Sequence, residues 1–135
     1  MARVTGVDRH LRHLKATGAT VRREVGKAVV AAADLVAAEA MASITAGWIS
    51  GPDHAPSKPG KPPNADTGRL HRAIDVVRRS ELTADVVSAA PYAADLEFGT
   101  SRVAARPYLR PAAAKKRDEA VALIVQAVRR GRAGQ

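Results

Sequence analysis

Nearly all the aromatic side chains of this chain lie in one short stretch. It has two tyrosines, one phenylalanine and one tryptophan, and all but the tryptophan fall between Pro91 and Pro111, in P-Y-A-A-D-L-E-F-G-T-S-R-V-A-A-R-P-Y-L-R-P. The apolar fraction is 46%, but only 3% is aromatic, and most of the remainder is alanine and valine. A core made of such residues is thin, and burial against neighbouring molecules would add what it lacks. Aromatics supply large contact areas and concentrate at interfaces, so the main packing or contact of the chain is expected in this window. The window holds no nucleophile–base pair, no metal-ligand spacing and no phosphate-cradling glycine loop. It reads as a surface shaped to fit another protein.

The 135 residues are expected to form a single domain, 1–135. A net charge of +9 points to an acidic partner, to nucleic acid, or to a ring whose neighbours present negative charge. There is no cysteine, which excludes disulfides, thiolate chemistry and cysteine-ligated metals and fits assembly in a cytoplasm. The N-terminus M-A-R-V-T-G-V-D-R-H lacks the apolar core of a signal peptide. The longest uninterrupted apolar run, Ala28 to Ala33, is too short to span a bilayer, so no membrane partner is expected.

Along the chain, Val7, Leu11 and Leu14 share one face of a short helix that Thr17-Gly18 is expected to interrupt. From Thr20 to about Ile49, Val21, Val25, Val29, Ala32 and Val36 recur at helical spacing, and Leu35, Met41 and Ile44 widen the stripe. Gly47 and Gly51-Pro52 mark its end. Trp48 closes this helix as a core anchor, an interface position being the alternative. Residues 51–66 are Pro/Gly-rich, with five prolines, and exclude helix. They read either as a flexible loop or as an extended arm. After a turn at Asp66-Thr67-Gly68, a short helix or strand runs from Arg69 to Ile74. The β-branched pairs Val76-Val77 and Val86-Val87 place two strands, Asp75 to Arg79 and Asp85 to Ala89, joined by a turn. Tyr92 to Phe98 fits helix or strand, with Tyr92, Leu96 and Phe98 directed inward, and Gly99-Thr100 breaks it. Pro111 suits the first turn of a last helix reaching about Arg130, with Val121, Ile124, Val125 and Val128 as its buried face. The expected fold is α+β: a long N-terminal helix and a C-terminal helix packed on a small antiparallel β-sheet, with the Pro/Gly-rich arm projecting.

Few residues suggest chemistry. His10 and His13 would share a helix face, but two histidines do not make a zinc site, and His54 and His71 sit in other contexts. No metal or other cofactor is expected. Asp95 and Glu97 would lie together if they were in a strand, yet no nucleophile or pocket accompanies them. Glu97 is better read as the partner of an arginine, Arg102, Arg106 or Arg110, across a subunit contact. Gly99-Thr100-Ser101 lacks the lysine and longer glycine run of a phosphate loop, and reads as a turn with Gly99 at positive φ. No enzyme is expected. A basic tail, 129–135, carries Arg129, Arg130 and Arg132, which would meet either DNA phosphates or an acidic partner.

The window also resembles a known family. Y-A-x-x-L-E-F-G-T-S, followed by A-x-P-Y-L-R-P-A, is similar to the signature of a phage neck and tail-completion family whose type member is the tail component of the Hong Kong-type lambdoid phage. The upstream run from Ala55 to Ile74, A-P-S-K-P-G-K-P-P-N-A-D-T-G-R-L-H-R-A-I, resembles the same family, which has a Pro/Gly-rich arm and then T-G-x-L. The family usually has phenylalanine where this chain has Tyr108. The N-terminal helix adds nothing to the resemblance. The resemblance implies a structural virion protein at the head-proximal end of a long tail, assembled in the bacterial cytoplasm. Copies would form a ring, a hexamer by the symmetry of phage tails, against neck proteins such as a connector, stopper, terminator or tail tube. The contact residues expected are Pro56, Pro59, Pro62, Pro63, Tyr92, Glu97, Phe98, Arg106, Tyr108, Leu109 and Arg110. The alternative reading is a basic protein binding nucleic acid without sequence preference, through Arg129, Arg130 and Arg132.

Overall fold

The computed structural model describes residues 3, 5–46, 56–63 and 69–134. Trp48, His54, the glycines expected to end the first helix and the turn at Asp66-Thr67-Gly68 lie outside the described residues. Among the described residues six elements follow in order: α1 (Val7–Thr45), α2 (Arg69–Arg72), β1 (Ile74–Ser80), β2 (Thr83–Ser88), α3 (Ala93–Phe98) and α4 (Leu109–Ala133). The architecture is α+β, with two long helices and a two-stranded antiparallel sheet.

α1 is one helix of 39 residues, not a short helix followed by a long one. Gly18 sits inside it, with open space around the position of a side chain. A single glycine costs a helix about 1 kcal/mol relative to alanine. Once a helix is nucleated on both sides of such a residue, propagation carries it through. An 18-residue window of α1 averages a hydropathy of 1.6, enough by length and composition to cross a bilayer. Alanines spread through the helix produce that average, although no uninterrupted apolar run is long. In this fold α1 is the element on which α4, both strands and α2 pack.

The strands pair with Val76 opposite Val86 and Ile74 opposite Ser88, and an irregularity falls between Arg78 and Ser80. The turn is Glu81-Leu82, with Leu82 exposed. Arg78 ties it down by donating to the Ser80 and Glu81 carbonyl oxygens at 3.3 and 3.1 Å. The turn rests on α1 at Gly26, where a Cβ would stand 2.7 Å from the Glu81 carbonyl oxygen. Glycine is what allows that approach.

α4 lies antiparallel to α1: Lys115 meets Glu39 at 2.7 Å, and Arg130 meets Glu24 at 3.5 Å. The buried residues of α4 are Ala112, Ala127 and Gly131, whereas Val121 and Val125 are exposed and Ile124 and Val128 are half-buried. This corrects the expected face. α4 packs through its smallest side chains because they let the backbones meet: a Cβ on Gly131 would stand 2.6 Å from Val21 Cα. The basic end is likewise no tail, since the helix runs through Arg129, Arg130 and Arg132 to Ala133.

The main core lies at the other end of the helix pair. It joins Ala37, Ala40 and Ile44 of α1 to Leu70, Ile74, Ala90, Tyr108 and Ala112. Tyr108 and Ile44 are its largest fully buried side chains.

Candidate functional site

The segment from Tyr92 to Pro111 wraps the N-terminus of α4, and one carboxylate organises it. α3 is helical, so Asp95 and Glu97 do not share a face as they would in a strand. Asp95 points outward and is exposed, while Glu97 is 4% exposed. Glu97 Oε2 accepts the backbone N–H groups of Tyr108 and Leu109 at 2.8 and 3.1 Å. Its Oε1 accepts the Arg110 N–H at 2.8 Å and Arg110 Nε at 3.3 Å. The first N–H groups of a helix have no partner within the helix, and the positive end of the dipole favours an anion there. α4 has no side-chain cap of its own at Tyr108. Glu97 supplies one from another element. Burial raises the pKa of Glu97, but the backbone N–H groups of Tyr108, Arg110 and Leu109, with the Arg110 side chain, outweigh it and hold the carboxyl below its usual value. Arg110 is therefore the partner of Glu97, and it belongs to the same chain rather than to a neighbour.

The rest of the motif follows from this cap. Gly99 has φ 75°, and a Cβ there would lie 2.9 Å from Ala105 N and 3.1 Å from the Val103 carbonyl oxygen. Thr100 closes the next turn: its Oγ1 accepts the N–H groups of Arg102 and Val103, and its own N–H donates to the Val103 carbonyl oxygen at 2.8 Å. The Arg106 N–H donates to the Leu96 carbonyl oxygen at 2.6 Å, returning the chain to α3. Tyr108 then inserts into the core. Burial pushes its hydroxyl pKa up, opposed by the neighbouring Ser88 hydroxyl, though neither oxygen reaches hydrogen-bond geometry.

Residues 56–63, the described part of the expected arm, lie against this same loop. Gly60 N–H donates to the Ala105 carbonyl oxygen at 2.9 Å, and Arg106 Nε donates to the Ser57 carbonyl oxygen at 3.1 Å. Pro63 is buried and Pro62 half-buried, whereas Pro56 and Pro59 are exposed. This piece is held by its own chain.

The predicted contact residues thus separate into two groups. Tyr108, Glu97 and Pro63 are buried within the chain, and Leu109, Arg106 and Pro62 are half-buried. Tyr92, Phe98, Arg110, Pro56 and Pro59 face outward. Phe98, expected to point inward, is 67% exposed, and the Arg110 guanidinium stands 4.7 Å from its ring centroid. The same arginine donates to the Glu97 carbonyl oxygen at 3.1 Å, so Glu97 fixes the cation that covers the ring. Arg129, Arg130 and Arg132 lie at the far end of α4, where Arg130 pairs with Glu24. His10 and His13 are exposed on α1. Among the described residues no three His, Cys, Asp or Glu side chains are grouped to hold a metal ion.

This arrangement is a rigid exposed aromatic beside a fixed cation, a combination suited to protein contact rather than to bond-making. Residues 8–99 match the family described as "Bacteriophage HK97-gp10, putative tail-component". The chain belongs to this family of phage tail components, whose place is the virion, and membership of a structural family argues against an enzyme. The match takes in nearly all of α1, a region whose sequence alone showed no signature. No curated protein and no solved structure matches the chain significantly.

Proposed function

We propose that the protein is a neck or tail-completion component, forming a ring of identical copies where the tail of a long-tailed phage meets the head. Six copies follow from the symmetry of such tails. The observation that carries the reading is the Phe98–Arg110 pair: a large aromatic two-thirds in water, braced by an arginine that Glu97 holds. An isolated domain gains nothing from leaving its only phenylalanine exposed, whereas interface centres are rich in aromatic and arginine side chains. A closed ring needs two different complementary patches per subunit. Phe98, with Arg110 beside it, supplies one of them, and the exposed Pro56 and Pro59 border the same loop system. The thin alanine core gives a second physical reason for association.

Electron microscopy of lysates from a phage carrying a nonsense mutation in this gene tests the proposal. The expected result is full heads and free tails that fail to join, or tails with defective head-proximal ends. Normal infectious virions would overturn it.

A further inference from the structure

The charge of this chain is gathered at one end of the molecule. α4 sets Gly131 on Val21 and Arg130 against Glu24, and the hairpin turn rests on Gly26. The N-terminal half of α1, the hairpin tip and the end of α4 therefore share that end. Residues 3–27, 78–85 and 129–132, which meet there, hold twelve of the 22 lysines and arginines but only four of the 13 carboxylates. They carry +8 of the net charge of +9, and the rest of the chain is close to neutral.

On α1 the cations are sorted by face. Helical spacing sets Arg9, Arg12, Arg23 and Lys27 in one strip, about 27 Å from end to end. The strip runs along the side of α1 opposite Val21, which meets α4, and all four side chains are exposed. Val7, Leu11 and Leu14 lie on the other side of the helix and take no part in it. Arg9, Arg12 and Arg23 form no salt bridge among the described residues, and Lys27 meets Glu24 at 3.3 Å at the edge of the strip.

We propose that this strip binds the phosphate backbone of a nucleic-acid duplex without reading its sequence. The side chains between the cations decide for phosphate over an acidic protein. Protein interfaces are centred on buried aromatic or aliphatic anchors and are depleted of lysine. Between Arg9 and Lys27 the strip offers only Ala16, Ala19 and Thr20. A line of cations over small side chains fits a charged rod with no apolar knob to bury, and a duplex carries one negative charge per about 1.7 Å of its axis. Three of the four cations are arginines, whose planar fork matches phosphate oxygens. Single strands are held by aromatic stacking as well, which the strip lacks. A helix lying on a membrane inserts the face opposite its cations, and from Val21 onward that face is turned to α4. The proposal is read from the single chain and holds whether or not copies form a ring.

Fluorescence anisotropy of a labelled random-sequence duplex with the purified full chain tests it. Four phosphate contacts give a slope of log affinity against log salt of about −3.6, a loss of roughly 100-fold between about 50 and 200 mM salt. The double variant Arg12→Gln/Arg23→Gln should flatten the slope by about 2 and weaken binding at least about ten-fold at the lower salt. It should melt within about 2 °C of wild type, since both side chains are exposed and unpaired with any carboxylate. Lys58→Gln/Lys61→Gln removes the same charge from exposed positions at the other end and should leave the slope unchanged. Absence of binding at about 50 mM salt overturns the proposal, as does an equal loss in both double variants. Polyglutamate that competes as well per charge as the duplex would mean a carboxylate partner and also overturns it, as would a preference for anionic lipid vesicles over the duplex.

Discussion

Replacing Glu97 probes the device that holds the surface together. Glu97→Ala strips acceptors from three backbone N–H groups, those of Tyr108, Leu109 and Arg110, and releases Arg110 Nε. A buried donor left without a partner costs about 1–3 kcal/mol, and loss of an ordinary helix cap about 1. Tyr108 is fully buried, while Arg110 is exposed enough for water to replace its bond. A total near 3 kcal/mol follows, equivalent to a fall in Tm of roughly 10 °C for a chain of this size. Glu97→Gln keeps one acceptor oxygen and should lose about half as much. Thermal unfolding followed by circular dichroism measures both. The pH dependence fixes the cause. The folded-state pKa of Glu97 lies below the usual value of 4.5, so its contribution is complete above that pH. It is lost as pH falls through the lower folded-state value, where the protonated acid resembles glutamine. The gap between wild type and Glu97→Gln should therefore be open at neutral pH and close in acid. Equal melting temperatures at pH 7, or a gap unchanged in acid, would refute the capping role.

Four further outcomes are expected. Gly18→Ala should raise stability by up to about 1 kcal/mol, because α1 passes through Gly18 with nothing near the new methyl group. Gly131→Ala should lower stability by about 1–3 kcal/mol despite better helix propensity, since its Cβ would meet the Val21 backbone; denaturant midpoints separate the two signs. Tyr108→Phe should be nearly neutral, as the buried hydroxyl makes no hydrogen bond, whereas Tyr108→Ala should cost about 3–5 kcal/mol by equilibrium unfolding. Phe98→Ala should leave Tm within about 2 °C of wild type, yet greatly reduce entry of the protein into assembled particles.

The hairpin was legible in the sequence because two β-branched pairs at matched spacing suffice, and Val76 does face Val86. The family was legible because several motifs occur in order, the Pro/Gly-rich run with T-G-x-L, then E-F-G-T, then P-Y-L-R-P; within them E-F-G-T sets a cap, an exposed ring, a positive-φ glycine and a turn in consecutive positions. The faces of the long helices were harder. Val121 and Val125 look like a core stripe, but α4 turns its alanines and Gly131 inward, because backbone proximity to α1 is decided by the absence of side chains. Gly18 read as a break because its local penalty is visible, whereas the cooperative stability of the helix on either side is not. Glu97 was expected to meet an arginine across a subunit contact, and in the structure it meets Arg110 of its own chain. Its main partners are backbone N–H groups reached only after the 99–107 loop folds back, and no side-chain pattern records a backbone donor.

The pairing of α1 with α4 also sets a schedule for synthesis. α1 is complete at Thr45, but its long partner ends at Ala133. At about 5–20 residues per second, the apolar window of α1 emerges roughly 4–18 s before the helix that covers it. During that interval α1 lacks its long partner, and among the described residues the hairpin is the only other sizeable element available to shield it. Stalled chains ending before Leu109 should accordingly be digested within α1 by a protease that the finished protein resists. Resistance there would mean that the hairpin alone suffices as a cover.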